Sequence, residues 1–199
     1  MNYSLIYKNY NVVAFPKCGC TQIIKLCTDS PEYLDHGHSY EHNRCSKNGQ
    51  IHMCASRLRK ENKNLEYLLF YRFPHERITS FYHSNGKTRG RIKDMSLEEF
   101  VDSIITGNLG VCGAGGRRAY IHHLQQSLIS SFRPKNNKCN YFHTNDLNKI
   151  WIDYFGIDPS DRYIINKSKY EQELTPKQIE AIKNYYKGEY RFLEKVSKK

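Results

Sequence analysis

A chain of 199 residues can bury a substantial core without disulfide or metal staples, and a single domain over 1–199 is the expectation. Lysine and arginine number 31 against 20 aspartates and glutamates, a formal net charge of +11 spread along the sequence rather than gathered in a tail. Such a field favours anionic partners, among them nucleotides, acidic glycans and nucleic acid, without choosing between them. The seven cysteines are an odd number, which excludes a fully paired framework within the chain. No basic leader opens the sequence, and no stretch approaches the roughly 18 apolar residues of a membrane helix. A reducing, cytoplasmic compartment with mostly free thiols is therefore expected.

In chain order, the β-branched run over 10–15 predicts a short buried strand that Pro16 ends, and Thr21 to Leu26 suits the first turns of a helix. Residues 28–50, rich in Asp, Ser, Pro, Gly, His and Asn, read as a long loop, and Ile51 to Asn62 as a helix. Leu65 to Arg72 is the second strand. Pro74 then stands where the first turn of a helix tolerates proline, and Ile78, Phe81 and Tyr82 give the segment to His83 an apolar face. A basic loop follows (Lys87, Arg89, Arg91, Lys93).

Ser96 with Glu99 three residues later predicts a capped helix to Thr106, before a glycine-rich stretch over 107–118. A strand over 139–143, a helix from Asp146 to Phe155 and a short extended piece over 163–166 come next. Thr175-Pro176 opens a helix to about Tyr186, and Gly188 is expected to separate it from a terminal turn. Strands alternating with helices predict an α/β sandwich around a mostly parallel sheet.

Two junctions carry chemistry. In Pro16-Lys17-Cys18-Gly19-Cys20-Thr21 a strand feeds a tight turn and then a helix, an arrangement that aims backbone N–H groups and the positive end of a helix dipole at one spot. Gly19 permits close approach, Lys17 supplies a mobile cation and Thr21 a hydroxyl. The segment from Tyr71 to Ser80 repeats the design: Arg72 at a strand end, Pro74 entering a helix, and Ser80 eight residues beyond the arginine. An arginine fork with a serine hydroxyl can clasp a second phosphate.

Both segments resemble those of the PAPS-dependent sulfotransferases, in particular the carbohydrate, heparan sulfate 2-O-like branch. The resemblance covers roughly residues 10 to 195, and it is strong at the two short motifs and weak between them. It implies a P-loop-like three-layer sandwich, a central mostly parallel sheet flanked by helices. It also implies transfer of a sulfuryl group from PAPS to a hydroxyl acceptor, leaving PAP as product. The acceptor would be an anionic or neutral glycan, met in the Golgi lumen if the chain is a trimmed one; no nucleic acid and no membrane is expected as partner.

Residue by residue, the resemblance places Lys17, Cys18, Gly19, Cys20, Thr21 and Gln22 at the 5′-phosphosulfate, and Arg72 and Ser80 at the 3′-phosphate. Arg77, in the segment resembling Arg-x-Pro-x-x-Arg-x-x-Ser, and His122, in a stretch where Gln125 replaces the family's proline, would line the acceptor. Asn166-Lys167-Ser168 and the region from Tyr185 to Phe192 resemble the end of these domains.

Transfer needs a base for the acceptor's proton and a cation for the leaving phosphate. Lys17 is the cation. Histidine suits the base, and Asp35-His36-Gly37-His38 resembles the His-Gly-His of the 2-O enzymes, which makes His38 the principal candidate and His36 its neighbour. His122 is the reserve, and Glu41, His42 and His52 stay open.

Three other readings compete. Cys18, Cys20, Cys27, His36, His38, Cys45, His52 and Cys54 offer zinc ligands, though no C-x2-C pair occurs among them. The basic loop and Gly116-Arg117-Arg118 could serve a nucleic-acid-binding module, though no recognised motif accompanies them. An ATP-dependent kinase would want a Walker pair and a magnesium carboxylate, and neither follows the first junction.

Overall fold

The computed structural model describes residues 3–7, 10–15, 17–19, 22–23, 26–27, 65–83, 92, 94–108, 138–159 and 173–198. The expected loop over 28–50, helix over 51–62 and extended piece over 163–166 lie outside these residues, as do most of the basic loop and the glycine-rich stretch. The described elements are β1 (Tyr3–Tyr7), β2 (Tyr10–Ala14), β3 (Glu66–Tyr71), α1 (Pro74–Phe81), α2 (Leu97–Ile105), β4 (Cys139–His143), α3 (Leu147–Phe155), α4 (Pro176–Tyr185) and α5 (Lys187–Val196). Two compact units divide the chain, one comprising Met1–Tyr71 and Phe132–Asn166, the other Arg72–Ser131 and Lys167–Lys199.

The first unit is built on a sheet of order β1-β2-β3-β4. β2, β3 and β4 run parallel, with Ala14 opposite Phe70 and Tyr71 opposite His143, while β1 joins antiparallel with Tyr7 opposite Tyr10. Three parallel strands with accompanying helices make this an α/β fold. β3 reads as an uninterrupted apolar run because both of its faces are covered: Tyr67 to Phe70 are fully buried and Tyr71 is 2% exposed.

Strand alternation sends Val12, Leu68 and Phe70 to one face, where they pack with Leu147, Ile150, Trp151 and Phe155 of α3. Tyr7 closes this core, its ring 4.7 Å from Phe155 edge-on and 5.7 Å from Trp151. An aromatic ring buried this way removes about 150–250 Å² from water, on the order of 4–6 kcal/mol before ordering entropy is subtracted. α3 stops at Gly156, whose φ of 69° suits a left-handed cap and whose N–H bonds the Ile152 carbonyl at 2.8 Å.

In the second unit, α1, α2 and α4 share a core of Ile78, Phe81, Leu97, Phe100, Val101, Ile104 and Ile182, with Phe81 and Phe100 stacked at 5.9 Å. Two capping boxes define helix starts. Ser96 Oγ accepts the Glu99 N–H at 3.2 Å while Glu99 Oε2 accepts the Ser96 N–H at 2.7 Å, and Thr175 and Gln178 repeat the exchange at α4. The Ser96 N–H and the Ser96 hydroxyl, which donates to Glu99 Oε2 at 2.9 Å, hold the Glu99 carboxyl below its ordinary value. No helix among the described residues is long and apolar enough to cross a membrane.

Two expectations need correction. β1 is absent from the sequence reading, because Tyr-Ser-Leu-Ile-Tyr becomes a strand through pairing with β2 rather than through a local signal. The terminal turn after Gly188 is instead the ten-residue helix α5, with Gly188 inside its first turn. The break falls at Tyr186, which ends α4 and starts α5. Burial of Glu189, Tyr190 and Leu193 on one face outweighs the roughly 1 kcal/mol that a helical glycine costs.

Candidate functional site

The first junction leaves the sheet at the end of β2. The Cys18 N–H donates to the Phe15 carbonyl at 2.9 Å, closing a four-residue turn with Lys17 at its third position. Lys17 has φ 64°, in the left-handed region. Glycine or asparagine is the usual occupant of that position. A lysine there carries about 1–2 kcal/mol of backbone strain.

Gly19 follows with φ 71°, and its carbonyl accepts the Ile23 N–H at 3.0 Å, the first hydrogen bond of a helix. First-turn amides of a helix have no intrahelical acceptor. Cys18, expected to offer its amide to the phosphosulfate, has committed that N–H to the turn, and its side chain is buried. Gln22 is helical and half-buried, while Cys20, Thr21, His36, His38 and His122 lie outside the described residues.

A contact that no local signal foreshadows comes from the turn after β4. A Cβ added to Gly19 would lie 3.5 Å from Thr144 Cγ2, so the turn following β2 meets the turn following β4. Because β3 lies between β2 and β4, the 17–19 turn sits over the edge where all three parallel strands end. That separation from Thr144 is ordinary van der Waals contact, so the backbone angle decides the residue. Gly19→Ala is expected to lower stability by about 1–2 kcal/mol, read as a denaturant midpoint shifted at unchanged slope.

The second junction leaves β3. Phe73 is extended at ψ 153°, as a residue before proline must be, and serves as the N-cap of α1. Arg72 and Ser80 meet: the guanidinium Nη1 donates to Ser80 Oγ at 3.3 Å. Arg72 is half-buried and Ser80 is 8% exposed. A planar cation with several donors beside a hydroxyl is an arrangement that can hold an oxyanion.

The start of α1 is occupied by protein groups. Glu76 Oε2 accepts the Phe73 N–H at 2.7 Å, Pro74 has no N–H, and the His75 N–H points to the Tyr190 hydroxyl at 3.4 Å. An anion here would rely on the side chains of Arg72 and Ser80.

Arg77 departs from its expected place at the acceptor. It is 1% exposed, and its Nη2 donates to Glu189 Oε1 of α5 at 2.7 Å, so it is a buried ion-pair residue rather than one presented to solvent. Helical spacing explains this: Arg77 shares the inward side of α1 with Ile78 and Phe81. Tyr186 and Tyr190 lie near this pair. Burial, the main cause, pushes both phenols up, with Arg77 opposing and Glu189 reinforcing the rise.

Among the described residues no group of three or more His, Cys, Asp or Glu could hold a metal ion. Burial pushes the Cys27 thiol well above its usual range, against the thiolate that zinc needs. Cys20, His36, His38, Cys45, His52 and Cys54 lie outside the described residues. Comparison with protein-family models, with curated proteins and with solved structures finds no match to the chain.

Proposed function

We propose that the chain is a PAPS-dependent sulfotransferase of the P-loop-like three-layer type, transferring a sulfuryl group to a carbohydrate hydroxyl. The observation that carries the proposal is the 3.3 Å bond between Arg72 and Ser80, two residues eight apart in sequence that the resemblance pairs at one phosphate. Support comes also from the sheet. β2 and β3 are parallel neighbours with Ala14 opposite Phe70, and the turn that follows β2 holds a lysine at positive φ.

In this reading Lys17, with the backbone amides of residues 20–22, binds the phosphosulfate end, and Arg72 with Ser80 binds the 3′-phosphate. Lys17 offsets the negative charge that builds on the leaving phosphate, in the way that cationic groups act in phosphoryl transfer. His38 takes the acceptor's proton as the acceptor oxygen bonds to sulfur, and the S–O bond to PAP breaks with its electron pair on the phosphate oxygen.

The test is calorimetric titration with PAP and, separately, ATP, followed by transfer of label from PAPS to a panel of glycans. PAP is expected to bind in preference to ATP. Arg72→Ala is expected to lose about 1.5–3 kcal/mol of PAP affinity, the worth of a charged hydrogen bond. Unchanged affinity in that variant would sink the proposal.

A further inference from the structure

The corner that presents Arg72 and Ser80 is held from the C-terminal helix. Tyr190 of α5 stacks on Phe73, the residue between Arg72 and Pro74, with ring centroids 5.6 Å apart and planes 16° apart. The His75 ring lies parallel to the Tyr190 ring at 6.0 Å and 9°, and to Phe73 at 5.9 Å and 21°. The Tyr190 hydroxyl is 2.6 Å from His75 Nδ1 and also faces the His75 N–H at 3.4 Å. One phenol therefore touches both the N-cap residue of α1 and a first-turn amide that has no acceptor within its own helix. One residue away, Glu189 holds Arg77 of the same helix.

We infer that Tyr190 is a positioning residue for the phosphate-holding pair, fixing through Phe73 and His75 the angle at which the chain turns from Arg72 into the helix that carries Ser80. The inference rests on the reading of Arg72 and Ser80 given above. The test separates packing from positioning.

Tyr190→Phe keeps the ring stack and removes only the hydroxyl, and His75→Phe keeps the other ring and removes its nitrogen. Each is expected to weaken PAP binding about fivefold, the equivalent of one ordinary hydrogen bond, measured well below the melting point so that the protein is folded. Because His75→Phe removes one of the two contacts that Tyr190→Phe removes, the double variant should be no weaker than Tyr190→Phe alone. Wild-type protein that binds PAP while Tyr190→Phe binds it equally well overturns the inference alone. Two losses that simply add overturn it as well, since they would reflect independent packing defects. Wild-type protein that fails to bind PAP overturns both this inference and the reading it rests on.

Discussion

Glu189→Leu is expected to destabilise the protein by about 3–5 kcal/mol, because it leaves the Arg77 guanidinium buried without its counter-charge. The two side chains are 2% and 0% exposed and bonded at 2.7 Å, so water cannot take over the lost interaction. For a chain of this length the melting temperature should fall by about 6–20 °C. Arg77→Met combined with Glu189→Leu should restore most of that loss. The Arg77 Nε and Nη1 atoms have no acceptor among the described residues, so the pair itself is incompletely satisfied and costly to desolvate. A calorimetric scan of the single and double variants checks this. A single variant as stable as wild type would show that the pair is not buried in solution.

Lys17→Gly should move stability and activity in opposite directions. Glycine adopts φ 64° without strain, which returns about 1–2 kcal/mol, offset by about 0.4–1 kcal/mol of greater unfolded-chain entropy. The net change lies between level and about 1.6 kcal/mol in favour of folding. On the proposed reading, sulfuryl transfer should fall by about 10²–10³-fold, the usual loss when a preorganised electrostatic group is removed from a transition state. Melting curves and labelled transfer on the same preparation test both halves. Transfer at the wild-type rate would remove Lys17 from the chemistry and leave its backbone strain unexplained. Strain kept at one residue for the sake of activity is a familiar exchange in active sites.

Local signals read well where a single stretch of chain carries its own reason. Ser96 with Glu99, and Thr175 with Pro176 and Gln178, announce helix starts because the partners lie within one turn of each other. The runs that become β2, β3 and β4 announce strands because their residues suit a pleated, buried surface. The resemblance of Arg72 and Ser80 to a known pair is legible too, since both positions belong to one strand-to-helix corner. β1 is not, because its reason for being extended is a partner strand, and the terminal helix is not, because Gly188 argues locally against it.

Composition and short-range pattern were enough to settle the α/β class, the helix caps and the two junctions where chemistry is proposed, all of which depend on groups a few bonds apart. Folding in three dimensions decided that Arg77 turns inward to Glu189 instead of outward to an acceptor. It also decided that Thr144 meets the turn at Gly19 and that Tyr190 braces His75. These contacts join positions up to 125 residues apart, as with Gly19 and Thr144 (144 less 19), and no window of sequence contains both partners. Their energies come from burial and charge pairing, which exist only once the elements have packed.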